Sequence, residues 1–190
     1  SDLSPATDLS PAITAAERKV VADAVLAKCD ALDGVTDGLV QDTDACQAVF
    51  QWDRDVPTCS GSTRDGTCLT AAQKTAIAPV FSGAVDSSGK AFYARFPFDA
   101  GYAGSGIPFW AFTAPLQLDS AAVGIVFKVA PESLGTFSGP TFALNANIDT
   151  LLQQIEATNA TYTESAMSFM TPPSPTDLST LRNRGAKMMV

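Results

Sequence analysis

The chain has 190 residues, 46% of them hydrophobic, enough to bury a core of its own, and that length suits one domain better than two. Its formal charge of −8, with a pI near 4.3, repels nucleic-acid phosphates and anionic membrane surfaces, so neither is expected as a partner. It contains no histidine, which excludes a Ser-His-Asp or Cys-His hydrolase centre and a two-histidine metal site within this polypeptide.

Residues 1–13 repeat Asp-Leu-Ser-Pro-Ala and read as an extended linker broken by proline. From Thr14 to Lys28, Val20, Val21, Ala24, Val25 and Ala27 recur at helical spacing, and Thr14 with Glu17 three residues on forms a capping-box signature. This helix delivers Cys29 and Asp30 to a loop of unusual composition.

Between Cys29 and Cys46, that loop holds Asp30, Asp33 and Asp37 with two Asp-Gly turns, Asp33-Gly34 and Asp37-Gly38. Three bare carboxylates so close together repel one another, and a hard cation would relieve that repulsion. Calcium needs six to eight oxygens. Asp30, Asp33 and Asp37 offer carboxylates, and the backbone carbonyls of Val35 and Leu39 complete most of the set. The spacing departs from the EF-hand pattern. The alternative is a pair of ordinary turns whose acids face solvent.

Four cysteines, Cys29, Cys46, Cys59 and Cys68, fall within the first 70 residues at spacings that suit local bridges. The reading is Cys29–Cys46 and Cys59–Cys68. Zinc is the competing reading, but there is no CxxC and no histidine to complete a ligand set. Disulfides place the protein outside the reducing cytosol, secreted or periplasmic. The Asn159-Ala160-Thr161 sequon suits an extracellular surface loop.

A second helix starts at Leu69–Gln73, capped by Thr70, and ends near Phe81-Ser82-Gly83. Asp86–Lys90 is a turn whose flanks suggest a short hairpin. Residues 92–112 are densely aromatic and broken by glycine and proline, so they read as a rigid loop, with Arg95 a structural partner for Asp99. Ala121 to Ala130 is apolar and suits either a strand or a buried helix. Asn147 to Asn159 is a helix with Ile148, Leu151, Leu152 and Ile155 on one face. Thr176–Leu181 reads as a short capped helix, and Arg184–Val190 turns into an apolar strand of the kind found inside parallel sheets.

No apolar run approaches the roughly 20 residues of a bilayer span, and the N-terminus lacks signal-peptide features, so a soluble, processed or excised chain is expected. GxSxG, GxxxxGK and GxGxxG are absent. Taken alone, this polypeptide does not read as a complete enzyme.

Cys29 to Val40 through Ala45-Cys46-Gln47, Cys59, Cys68-Leu69-Thr70 with Gln73, Tyr93–Gly101, Gly106, Trp110, Thr176-Asp177-Leu178 and Arg182–Met188 together resemble the lid domain of the tannase and feruloyl esterase family. The resemblance covers most of the chain in order. It implies an α+β, helix-rich lid domain with small antiparallel strands, normally inserted in an α/β-hydrolase core. Its implied organisation is a linker at 1–13, a calcium-binding lid at 14–175, and a return into a core strand at 176–190.

The resemblance further implies a secreted serine esterase of aromatic esters, feruloyl, galloyl or terephthalate-type, whose nucleophile, acid and histidine fall outside this chain. Calcium is then structural, held by Asp30, Asp33, Asp37 and the carbonyls of Val35 and Leu39. The lid covers the active site of its own hydrolase core and holds the aromatic acyl group, with Trp110 at a substrate-facing position; Phe109 and Phe127 are read as further contacts, the alternative for all three aromatics being the lid's own core. A terephthalate-type acyl group carries a carboxylate that a lid arginine would pair, and Ala114 to Phe127 holds none; a neutral or phenolic acyl group is expected, with Lys128 a less directional substitute. The rival reading is an independent secreted calcium-dependent binding module.

Overall fold

A computed structural model of the chain describes residues 10–172 and 176–188, the side chain of Ser10 excepted. The chain divides into two compact units, Ser1–Gln117 and Leu118–Val190. In the first, Ser10–Ala12 form a 3-10 turn and Ile13 is fully buried, so the core takes in the residue just before the first helix. Residues 1–9, which hold most of the proposed linker, lie outside the described residues.

Helix α1 spans Ala15–Cys29. Its capping box is complete: the Thr14 hydroxyl accepts the Glu17 N–H, and Glu17 accepts the Thr14 N–H at 2.7 Å. Val21, Val25 and Cys29 form the buried stripe of this helix. Two shorter helices follow, α2 (Thr43–Val49) and α3 (Trp52–Asp55), then α4 (Ala71–Ser82), whose capping box pairs Thr70 with Gln73. The core gathers Val21, Val25, Phe50, Leu69, Ile77 and Phe81, among others. Phe81 is the hub of an aromatic cluster, with its ring 5.2 Å from those of Trp52 and Phe98 and 5.3 Å from that of Tyr102.

The expected small antiparallel strands are not there. Among the described residues no strand forms, and β-type pairing is limited to two isolated bridges, Thr58 with Leu69 and Val85 with Ala91. The Asp86–Lys90 turn does close, with Asp86 Oδ1 accepting the Ser88 and Lys90 N–H groups at 2.9 Å. Its ladder stops at one bridge because Gly83, capping α4, stands only two residues before Val85. The fold is therefore helical, not α+β. Ala186–Met188 likewise takes no strand pairing, since no partner strand exists among the described residues; Met189 and Val190 lie outside them.

The aromatic stretch is a loop only in part. Ala100–Ala103 make a 3-10 turn capped by the Asp99 carboxylate, which accepts the Gly101 N–H. Asp99 forms no ion pair with Arg95, whose side chain instead packs beside Gly83. From Pro108 to Phe127 the backbone is helical with wide, five-residue turns. Pro108 suits a first helical position. Pro115 lacks an N–H and would crowd the Ala111 carbonyl in a tighter α-helix, which the wider turns relieve.

Ala121–Ala130 thus continues a helix as far as Phe127. Pro108–Phe127 is also long and apolar enough to cross a membrane by length and composition, where no such run was expected. Its Phe112, Ala114 and Leu116 are buried in the first unit, so packing accounts for part of that apolar content.

The second unit adds α5 (Gly139–Asn145), α6 (Ile148–Glu156), α7 (Ala166–Met170) and α8 (Ser179–Asn183). Asn147 caps α6, its Oδ1 accepting the Thr150 N–H at 2.9 Å. Helices α6 and α7 pack on each other and on the Ala122–Phe127 segment. All the fully buried hydrophobic side chains among the described residues fall between Ile13 and Leu116. The second unit instead exposes Val126, Leu134, Leu144, Phe169 and Met170.

Candidate functional site

The aspartate loop begins where α1 ends. Cys29, buried, is bridged to Cys46 with Cα atoms 5.1 Å apart, and Cys59 to Cys68 at 5.2 Å. After a 3-10 turn at Asp30–Asp33, Gly34 and Gly38 adopt φ of +91° and +81°, the left-handed region that disfavours side chains. Asp30 Oδ1 accepts the N–H groups of both Asp37 and Gly38 at 3.0 Å, which ties the ends of the acidic segment together. Asp33 Oδ1 accepts the Val35 N–H at 2.9 Å, and Asp37 Oδ1 the Leu39 N–H at 3.1 Å. Each carboxylate accepts backbone N–H groups through Oδ1, leaving Oδ2 as the oxygen that could ligate a cation.

The three carboxylates are not drawn to one point. Among the described residues, the group of acid and sulfur ligand atoms lying within 4.8 Å of one another is Cys59, Asp65 and Cys68. Its two sulfurs are bonded to each other, so no thiolate is available to a metal. In donor chemistry the aspartate loop fits a hard cation better: three carboxylates, with the carbonyls of Val35 and Leu39, are all-oxygen and anionic.

Behind this loop, two buried charges brace the first unit, and neither is legible from local pattern. Glu17 is almost fully buried, and Arg64, 47 residues on, grips its carboxylate at both oxygens, Nε to Oε1 at 2.7 Å and Nη2 to Oε2 at 2.6 Å. The Arg64 guanidinium, ahead of the bonds from Thr14 and Gln73, holds the Glu17 carboxyl down at about 2 against the opposing effect of burial. Lys74, also buried, donates its three protons to Asp53 O, Val56 O and Thr58 Oγ1 at 2.8–2.9 Å. Burial pushes its pKa below the ordinary lysine value.

Of the expected substrate contacts, Phe109 and Trp110 lie in the first unit. Trp110 is 67% exposed and meets Phe109 edge-on, ring centroids 4.9 Å apart. Phe127 lies in the second unit, where it lines a cavity of about 410 Å³ with Ile125, Val126, Tyr162, Phe169 and Met170. Lys128 borders the same cavity, but its ammonium is paired with Glu132 at 2.8 Å. It is not a free cation. Asn159 of the sequon is exposed, its Oδ1 accepting the Thr161 and Tyr162 N–H groups at 2.8 Å.

The family model described as "Tannase and feruloyl esterase" matches residues 1–190, and the chain belongs to that family. Mono(2-hydroxyethyl) terephthalate hydrolase of Piscinibacter sakaiensis is 29% identical over 92% of this chain and 33% of its own length. Probable feruloyl esterase B-1 of Aspergillus fumigatus is 39% identical over 44% of this chain and 15% of its own. The crystal structure of feruloyl esterase B from Aspergillus oryzae shares the fold, with a TM-score of 0.57 at 21% identity, over 92% of this chain and 31% of that one. The chain thus spans about a third of the length of the relatives it matches most fully.

Proposed function

We propose that this chain is the lid domain of a secreted serine carboxylic ester hydrolase acting on aromatic esters, and that it covers the active site and binds the aromatic acyl group. The observation that carries the reading is the pairing of a family match along the whole chain with the complete absence of histidine. A serine hydrolase of this kind needs a base to activate its nucleophile, so that base must come from a hydrolase core. The second unit's exposed apolar residues and thin interior support the same reading, because such a unit gains burial by packing on a core. The two disulfides support an extracellular location.

Within that enzyme the lid supplies apolar contact, shape and exclusion of water, and the chemistry is acyl transfer by the core. Trp110, exposed and stacked edge-on with Phe109, is the aromatic contact offered to substrate. The aspartate loop is a structural calcium clasp, in which Asp30, Asp33 and Asp37 with the Val35 and Leu39 carbonyls hold the ion. Calcium would supply neutralisation of three clustered anions and nothing to the reaction.

The purified chain should hydrolyse neither p-nitrophenyl acetate nor methyl ferulate; turnover of either ester would overturn the assignment to a lid. Trp110→Ala in the full-length esterase should raise KM for aromatic esters at least several-fold, and an unchanged KM would remove Trp110 from the site. For the clasp, calcium should raise the Tm of chelator-treated chain, as any ligand specific to the folded state must. Asp33→Asn should abolish that rise, whereas a Tm indifferent to calcium would leave the loop as plain turns.

A further inference from the structure

The backbone that leads into α1 is held at three consecutive carbonyls, each by a side chain from a different part of the first unit. Arg64 Nη2 donates to Pro11 O at 3.2 Å, Gln73 Nε2 to Ala12 O at 2.9 Å, and Arg18 Nη1 to Ile13 O at 3.0 Å. Gln73 and Arg18 stand on α4 and α1, whose own ladders fix them. Arg64 has no such support. It lies near the middle of the irregular loop closed by the Cys59–Cys68 bridge, and the same guanidinium grips the Glu17 carboxylate that caps α1. Gly66, at φ +81°, lets the loop lie on α1, since a Cβ there would come within 3.0 Å of the Ala16 side chain. Beside the bridge, the base of the loop has two backbone bonds, Cys59 N–H to Leu69 O at 2.9 Å and Leu69 N–H to Pro57 O at 3.0 Å. An isolated bridge of that kind is marginal without a staple. The two disulfides also differ in access: Cys29 and Cys46 are 2% and 0% exposed, whereas Cys59 and Cys68 are only half-buried.

We propose that the Cys59–Cys68 bridge is a redox-releasable strap: a dithiol reductant opens it before Cys29–Cys46, and its opening frees Arg64 from Glu17 and Pro11 and loosens the lead into α1. A thiolate of the reductant attacks one sulfur of the bridge, forming a mixed disulfide and expelling the other sulfur as a thiolate. The reductant's second thiol then closes on the mixed disulfide. The bridge thereby gains two electrons and two protons as the Cys59 and Cys68 thiols, and the reductant leaves as a disulfide. Access to sulfur governs the first attack, so the half-buried bridge reacts ahead of the enclosed one. Once the loop ends are unlinked, Arg64 samples more conformations, and its bonds to Glu17 and Pro11 cost more entropy to form. Gln73 and Arg18 keep their carbonyls and Ile13 stays buried, so the change is confined to the start of α1.

The test titrates the purified, disulfide-bonded chain with dithiothreitol, followed by iodoacetamide labelling with peptide mass analysis and by amide hydrogen exchange. Cys59 and Cys68 should be labelled at a dithiothreitol concentration that leaves Cys29 and Cys46 unlabelled. At that concentration, exchange of the Thr14, Glu17 and Arg18 amides should quicken roughly tenfold while that of Val21–Val25 is unchanged, and oxidised glutathione should reverse it. Arg64→Met with its bridge intact should show the same quickening, and selective reduction of that variant should add little. Labelling of Cys29 and Cys46 at the same concentration or below it would overturn the selective access. Unchanged exchange after selective reduction, or a full further quickening on reducing Arg64→Met, would overturn the route through Arg64. Faster exchange throughout the first unit would make the bridge a general staple and overturn the strap.

Discussion

Replacing Glu17 with Gln isolates the charge of the most buried ion pair in the first unit. Glutamine keeps the side-chain volume and an acceptor for the Thr14 N–H, so the capping box survives while the bidentate pairing with Arg64 loses its charge. The Glu17 carboxyl is lowered from 4.5 to about 2. At about 1.4 kcal/mol per unit, that depression corresponds to roughly 3 kcal/mol. Because the Arg64 side chain is 39% exposed, solvent screening reduces it to about 2 kcal/mol.

A folded-state pKa below the unfolded value means that the stabilisation is fully present above about pH 5. It is lost as the pH falls through 4.5 toward 2, because the unfolded chain takes up the proton first. Urea unfolding of wild type and Glu17→Gln should therefore differ by about 2 kcal/mol at pH 7, and the gap should shrink to about a quarter of that by pH 2.5. Other carboxylates titrate in both proteins and cancel in the difference. A gap that stays constant across this range would show that packing, not charge, makes the difference. No gap at pH 7 would show that Arg64 does not engage Glu17 in solution.

Lys74→Met fills a similar volume but leaves the Asp53 and Val56 carbonyls without their donor; each unsatisfied buried acceptor costs about 1–3 kcal/mol, so a net loss of about 2 kcal/mol is expected by urea unfolding, and equal stability would refute the ammonium's bracing role. Gly124→Ala would set a Cβ 2.6 Å from the Phe137 ring, and the forced ring shift should cost about 1–3 kcal/mol. Gly135→Ala, with open space around the new carbon, is the control and should leave Tm nearly unchanged; the same Tm for both variants would refute the close approach at Gly124.

The elements that were legible in the chain are those governed by neighbours in sequence. Thr14 with Glu17 and Thr70 with Gln73 announce their helices because a capping box closes over three residues. Asn147 before Ile148, and Asp86 before Gly89, work through the same short-range side-chain to backbone bonds. The cysteine pairs were readable because both bridges span short segments, 17 and 9 residues. The family followed from motifs with fixed local spacing.

What depended on distant contacts was not readable. Ala121–Ala130 carries an apolar run compatible with strand or helix, and only continuity with the wide turns after Pro108 makes it helical. The expected strands failed for the converse reason: a strand exists only through a partner, and the short flanks of Asp86–Lys90 leave room for a single bridge. Glu17 looked like a capping residue alone until Arg64 arrived from 47 positions away, and Lys128 looked like a spare cation until Glu132 closed on it. Sequence by itself determined the helix starts, the disulfide frame and the acidic loop, all products of neighbouring residues; tertiary structure decided which charges are cancelled and which aromatic rings stay exposed, because burial and ion pairing depend on what the rest of the chain brings near.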